Sequence, residues 1–181
     1  MRIIAGQFRS RPLAAPRGHA TRPTSDRARE ALFNALESRF SLEGADVLDL
    51  FAGTGALGLE ALSRGAAAAT FVESEARVLR YTRQNARTLG IEEACVFLGT
   101  DALRYLRQYQ GPPFDLIMAD PPYRLPELPE LPTLALPALH PGGFFVLEHD
   151  RHHAFDDHPA LLLSRTYGRT VVSMFEAPPA D

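Results

Sequence analysis

The stretch Asp49-Leu50-Phe51-Ala52-Gly53-Thr54-Gly55-Ala56-Leu57-Gly58 constrains this chain more than any other. The apolar run Val47-Leu48-Asp49-Leu50-Phe51 reads as a buried strand, three glycines follow, and Leu57, Leu59, Ala61 and Leu62 then open a segment of helical composition. A strand, a tight turn and a helix start are what this pattern predicts. Glycines at 53, 55 and 58 let the backbone approach a ligand and let helix pack on strand, while the first helical amides point at whatever is bound.

The spacing is literally G-x-G-x-x-G, and Glu73 stands twenty positions after Gly53, so a nicotinamide dinucleotide is permitted, as is a plain connecting turn. Asp49 shifts the balance. A carboxylate just ahead of the glycines repels a pyrophosphate and suits a ligand that carries positive charge. S-adenosylmethionine, with its ammonium, its sulfonium and its ribose diol, is such a ligand.

At 181 residues the chain is expected to form one domain over 1–181, long enough to bury its own core. A hydrophobic content of 45% with 23% charged residues excludes a disordered chain. No apolar run reaches the length of a membrane span, and Met1-Arg2-Ile3-Ile4-Ala5 is too short for a signal-peptide core, so no membrane partner and a cytoplasmic location are expected. The single cysteine, Cys95, lies in Ala94-Cys95-Val96-Phe97-Leu98 and reads as a buried strand residue. The net charge is −3, yet residues 1–39 hold eight arginines (2, 9, 11, 17, 22, 27, 29 and 39) against Asp26, Glu30 and Glu37. A basic N-terminal block on an acidic body is the asymmetry expected of a protein with one face towards phosphate, although charge alone also fits a solvated segment.

Arg2-Ile3-Ile4-Ala5 and Leu13-Ala14-Ala15 are candidates for a small N-terminal β-hairpin. A helix starts near Thr24, Ser25 and Asp26, with Ala28, Ala31, Leu32, Ala35 and Leu36 on one apolar face and Arg27 and Glu30 opposite. From residue 46 strand and helix alternate: Ala68 to Glu73, then a helix from Glu75 to Leu89; Cys95 to Leu98, then Asp101 and a helix through Leu106; then Phe114 to Ala119. Prolines 126, 129, 132 and 137 predict a short, irregular helix before a fifth strand, Phe144 to Glu148. Leu161 to Arg165 and Thr170 to Phe175 flank Tyr167-Gly168-Arg169 as an antiparallel hairpin. The pattern gives an α/β, Rossmann-like fold: a mostly parallel sheet with helices on both faces and a C-terminal antiparallel hairpin. A basic extension over 1–40 precedes a core over 41–176. Ligands bind such sheets at the carboxyl ends of the strands, where Asp49, Glu73, Asp101 and Asp120 all fall.

Asp120-Pro121-Pro122-Tyr123 ends the fourth strand. Two prolines stiffen the backbone and remove two amide donors, which leaves an acceptor-rich corner formed by the Asp120 carboxylate and the Pro121 carbonyl beside an aromatic ring. An exocyclic base amine, a donor whose lone pair is delocalised into its ring, fits there. Two acceptors gripping its hydrogens turn the lone pair towards a methyl carbon, and Tyr123 can stack on an extruded base. A proline-rich turn that merely caps a strand is the alternative for the tetrad alone.

With these residues in place the chain resembles the class I S-adenosylmethionine-dependent methyltransferases, and more closely the RsmD family, bacterial enzymes that methylate N2 of a guanine in 16S ribosomal RNA. The resemblance rests on Arg2 to Gly6, Arg22-Pro23-Thr24-Ser25-Asp26-Arg27-Ala28-Arg29-Glu30-Ala31-Leu32-Phe33-Asn34, Asp49 to Gly65, and Asp120 to Tyr123. The family usually has Gly at Ala5 and a different tail after Glu148. The resemblance implies that Asp49, Phe51, Gly53 and Gly55 line the methionine part of the cofactor, that Glu73 accepts the ribose hydroxyls and that Asp101 reaches the adenine amine. It makes Thr24, Arg29 and Asn34 candidates for closing over cofactor or substrate, and Asp120, Pro121, Pro122 and Tyr123 the catalytic corner. Arg9, Arg11, Arg22 and Arg29 become candidate RNA contacts. The implied partner is 16S rRNA in the small subunit or its assembly intermediate, met by a monomer.

The tetrad also suits an adenine or cytosine amine in DNA or RNA and a glutamine amide in protein, and a silent RNA-binding protein with this fold is a further reading. A dehydrogenase would leave Asp49 and the tetrad without a role. His149, His152 and His153 lack the helical spacing of a ligand set and are expected to be solvated, with no metal.

Overall fold

Alternation of side chains along each strand decides the layering. In the computed structural model, which describes residues 1–16 and 26–179, β1 (Asp46–Leu50) buries Val47 in one core and Leu48 and Leu50 in the other. The remaining strands are β2 (Ala68–Val72), β3 (Cys95–Leu98), β4 (Phe114–Ala119), β5 (Leu139–Asp150), β6 (Leu161–Tyr167) and β7 (Thr170–Glu176). They form one sheet in the order β3-β2-β1-β4-β5-β7-β6. The first five are mutually parallel, and β7 runs antiparallel to both β5 and β6. The chain therefore moves outward from β1 to β3 and restarts at β4 on the other side of β1. The crevice between the carboxyl ends of β1 and β4 is the switch point of the sheet.

One face of the sheet carries α1 (Asp26–Glu37), α2 (Ala56–Ser63) and α3 (Ala76–Leu89), which pack Leu32, Leu36, Leu59 and Ala86 on Val47, Phe71, Leu116 and Met118. The other carries α4 (Ala102–Gln108) and α5 (Leu131–Ala135), with Leu103, Leu106 and Leu131 on Leu48, Ile117 and Leu147. The proline-rich stretch folds as α5 between two 3-10 turns, Leu128–Glu130 and Leu136–Ala138, each of the three with a proline in its opening turn. That is where proline costs no hydrogen bond.

In the first forty residues one expectation holds in shortened form and one is corrected. The N-terminal hairpin forms in a short version: Arg2 bridges Pro12 in antiparallel fashion, the Ile3 amide donates to the Arg11 carbonyl at 2.9 Å, and the Leu13 amide donates to the Met1 carbonyl at 3.0 Å. Its remaining backbone groups turn to α2 and α3: the Ile4 and Ala5 amides donate to the Glu60 carboxylate at 2.7 and 3.0 Å, Phe8 to Ser63 at 3.0 Å and Ala14 to Asn85 at 2.7 Å. Gly6, with φ +78°, lies so close to the Ser63 carbonyl that a Cβ has no room. The buried face of α1 is Arg29, Leu32, Phe33, Ala35 and Leu36 rather than a purely apolar stripe. Thr24 and Arg22 lie outside the described residues, as does the expected helix start ahead of Asp26.

Gly58 packs where a Cβ would strike the ring of Phe71, itself buried and stacked on Phe97. Gly58→Ala is expected to lower stability by about 1–3 kcal/mol through overpacking. Gly142→Ala, at φ +76° with open space around it, should cost only about 1 kcal/mol from the left-handed backbone. Urea unfolding of the two variants checks the order.

Candidate active site

A cavity of about 690 Å³ opens at the switch point, a volume suited to one small ligand. Its walls come from the β1–α2 turn, from Glu73 after β2, from Asp120 to Arg124 after β4 and from Glu148 on β5.

The β1–α2 turn is built without a side-chain cap. Phe51 (φ 55°), Gly53 (φ 58°) and Gly55 (φ 82°) all take left-handed backbone, which lets the chain reverse within a few residues. Gly55 occupies the N-cap of α2 and has no side chain to offer its amides. Asp49 supplies the acceptor from the strand below, its Oδ2 receiving the Gly58 N–H at 2.9 Å. Glu73 latches the other side: Oε2 accepts from Gly53 N at 3.0 Å, and Oε1 accepts from Glu75 N at 2.8 Å. From α3, the Thr82 hydroxyl donates to the Gly53 carbonyl at 2.7 Å and Asn85 Nδ2 to the Thr54 carbonyl at 3.0 Å.

Asp49 is 1% exposed, and that burial pushes its carboxyl up to about 8, partly offset by the Gly58 amide and reinforced by the charge of Glu73. A cationic group placed beside it would favour the ionised form.

The Asp120 to Tyr123 corner forms the opposite wall. Asp120 is half-buried, Pro121 is buried and Pro122 is exposed. The Tyr123 hydroxyl donates to Glu148 Oε1 at 3.3 Å and lies 3.0 Å from Thr170 Oγ1. Burial raises the phenol to about 12, so the proton stays on it.

Of the sequence candidates, Asp49, Phe51, Gly53, Glu73, Asp120, Pro121, Pro122, Tyr123 and Arg29 line this cavity. Gly55, Asn34 and Asp101 do not. The missing Cβ of Gly55 faces Thr82 and Leu59, so that glycine serves packing between helices. Asn34 is exposed on α1. Asp101 caps α4, accepting the Arg104 amide at 2.8 Å. Arg9 and Arg11 are exposed in the N-terminal segment.

Arg29 is corrected as an RNA contact. It is 1% exposed, and its Nη2 donates to the Arg2 carbonyl at 2.7 Å and to Asp26 at 3.2 Å, with Nε 4.0 Å from Glu60. His149 is corrected as well: it is buried, Nε2 lies 2.8 Å from Ser173 Oγ, and its ring stands edge-on to Phe155. His153 pairs with Asp150 at 2.8 Å. Among the described residues no His, Cys, Asp or Glu group is placed to hold a metal. Cys95 is half-buried beside the Ile91 carbonyl, and burial pushes its thiol up to about 12.

Glu148, 3% exposed on the cavity wall, was not among the candidates read from the sequence. Its signal was available, since it closes a predicted strand with an acid as Asp49, Glu73 and Asp120 do.

The sheet order, the glycine turn and the tetrad facing it across one cavity define a class I methyltransferase. The profile of the family described as conserved hypothetical protein 95 matches residues 1–176. "Putative rRNA methyltransferase YlbH" of Bacillus subtilis is 37% identical, with 97% of this chain and 98% of that protein covered. The ribosomal RNA small subunit methyltransferase D of Escherichia coli K12 is 45% identical over 124 residues, which are 68% of this chain and 61% of that one. The solved structure of "Putative methyltransferase yhhF" from Escherichia coli superposes with a TM-score of 0.85 at 33% identity, covering 99% of both chains. The chain belongs to the conserved hypothetical protein 95 family, the RsmD family.

The raised Asp49 pKa carries a stability signature. The folded value of about 8 lies above the unfolded value of about 4, so the stabilisation is complete below pH 4 and is lost as the pH climbs to about 8. Asp49→Asn removes that loss and should gain on the wild type by up to about 1.4 kcal/mol per pH unit across the window. Urea unfolding of both proteins at several pH values measures it. A constant difference would mean that Asp49 is ionised throughout.

Proposed function

We propose that the protein is an S-adenosylmethionine-dependent methyltransferase that modifies the exocyclic N2 amine of a guanine in 16S rRNA of the small subunit. The observation that carries this reading is the shared cavity, with the acceptor corner of Asp120 and Pro121 on one wall and the glycine turn with Asp49 and Glu73 on the other. The family relationship and the rRNA methyltransferase names of the relatives point the same way.

The donor set fits the cofactor. Asp49 suits an ammonium, the turn at Phe51 and Gly53 admits the methionine chain at close backbone range, and Glu73 suits a ribose diol. Bound there, S-adenosylmethionine supplies a methyl group made electrophilic by its sulfonium. Asp120 and the Pro121 carbonyl accept the two hydrogens of the base amine and draw its lone pair out of conjugation. That aims the nitrogen for an in-line displacement, so catalysis is by positioning and electrostatics. Asp120 then takes the proton that the methylated amine sheds, or passes it to water. The exposed Arg9 and Arg11 supply phosphate contacts that orient without reading sequence. An rRNA substrate places the reaction in the cytoplasm.

Incubation with methyl-labelled cofactor and, separately, naked 16S RNA, small subunits lacking the modification, and duplex DNA tests the reading, followed by digestion to nucleosides. N2-methylguanosine from 16S RNA is the expected product, and labelled methyladenine or methylcytosine would overturn the substrate. Asp120→Ala is expected to bind cofactor normally while turnover falls by about 100-fold or more. Glu73→Ala should weaken cofactor affinity about tenfold, and an unchanged calorimetric titration would remove Glu73 from the cofactor site.

A further inference from the structure

Glu148 has no part in the methyl transfer just described, yet it is a carboxylate, 3% exposed, on the wall of the same cavity. The protein answers that charge in part, through the field of the buried Arg29 guanidinium and the Tyr123 hydroxyl, which keeps a carboxylate at the cavity wall. Its place is fixed by the sheet. β4 and β5 run parallel with Ala119 opposite Leu147, so Asp120, just past the end of β4, and Glu148 on β5 follow the same register pair, and both line the cavity. The Glu148 rotamer is held by the Tyr123 hydroxyl at 3.3 Å, and with that proton given to Glu148, the Thr170 hydroxyl is the donor to the Tyr123 oxygen at 3.0 Å. The cavity is therefore lined by two carboxylates, Asp120 and Glu148, from the ends of adjacent strands.

We propose that Glu148 is the specificity-determining residue that selects guanine, accepting the ring N1–H while Asp120 and the Pro121 carbonyl hold the neighbouring N2 amine. This rests on the methyltransferase reading above. Guanine presents two adjacent donors on this edge, the N1–H and the N2 amine. Adenine and cytosine present an unprotonated ring nitrogen next to their amine, and its lone pair would face the Glu148 carboxylate. A buried acceptor opposite an acceptor is left without a hydrogen, which is the kind of mismatch that gives large discrimination. Aromatic or apolar walls alone would admit all three bases.

The test uses the full chain and small subunits reconstituted with 16S RNA that carries either guanine or 2,6-diaminopurine at the nucleotide that the wild type labels. Diaminopurine keeps the N2 amine and loses the N1 proton. Wild-type single-turnover methylation should fall about ten- to hundredfold on diaminopurine; equal rates would overturn the proposal without any variant. In Glu148→Gln the amide can turn either its oxygen or its NH2 to N1, so the ratio of the two rates should collapse towards one. A ratio kept at the wild-type value would overturn the proposal, because a preference read at O6 or through general packing would survive the substitution. Calorimetric affinity for S-adenosylhomocysteine should be unchanged in the variant, which separates loss of base reading from loss of fold. Failure of the underlying reading looks different, since the wild type would then label no guanine in 16S RNA at all.

Discussion

The hydrogen bond from the Gly58 amide to the Asp49 carboxylate is the contact on which the site depends. A helix that begins at a glycine N-cap has orphan amides and no side chain to receive them, and β1 answers by placing an acid where its pattern calls for an apolar residue. The consequence is geometric. The carboxylate pins the first turn of α2 over the end of β1, Gly58 brings helix and strand together against Phe71, and Phe51, Gly53 and Gly55 between them take left-handed backbone. The same carboxylate then faces the cavity, where burial holds it in a state that a cation would change. One residue thus closes the helix and defines the charge of the ligand.

α2 carries a second buried acid, Glu60, and its role is complementary. Its two oxygens collect the Ile4 and Ala5 amides and Arg64 Nε at 2.8 Å, and Arg29 stands 4.0 Å away. Desolvation lowers the Arg29 pKa, and the charges of Glu60 and Asp26 oppose that loss. A buried charge cluster of this kind contributes little net stability, but removing one member leaves the others uncompensated. Its effect is therefore to fix where the N-terminal segment lies. That segment brings Met1 to the cavity lining, and Arg29 reaches the same wall from α1. The first forty residues are consequently part of the architecture of the site as well as a basic surface.

What was legible in the sequence was whatever local chemistry decides. The parallel strands, the glycine turn and the proline-broken segment all follow from periodicity and from the backbone limits of glycine and proline, and the described elements agree with them. The opposing walls of the cavity were legible for the same reason, because acids at strand ends converge on one edge of a parallel sheet. Arg29 was not, since its partner Glu60 belongs to another helix and a basic residue in a basic block reads as surface. The N-terminal hairpin was legible, but its docking on α2 was not: past the Arg2–Pro12 bridge, Ile4 and Ala5 donate to a side-chain carboxylate of another helix. Gly55 packs against Thr82 and Leu59 and Asp101 caps α4, contacts that spacing in the sequence does not show. Glu148 needed the β4–β5 register to be placed beside Asp120.

Registry also explains why the two walls work as one site. Leu50 pairs with Ala119 across β1 and β4, and Ala119 pairs with Leu147 across β4 and β5, so the glycine turn, Asp120 and Glu148 emerge at one level. A slip of one residue in either pairing would move Asp120 or Glu148 out of level with the glycine turn, and the packing of both faces of these buried strands against the two helix layers holds the register. The turn is then held by Glu73, Thr82 and Asn85, and the corner by prolines and by the Tyr123 contacts. A reaction governed by positioning needs a fixed distance between a donor wall and an acceptor wall, and here that distance is set by the hydrogen-bonded spacing of three central strands, the least deformable part of the fold.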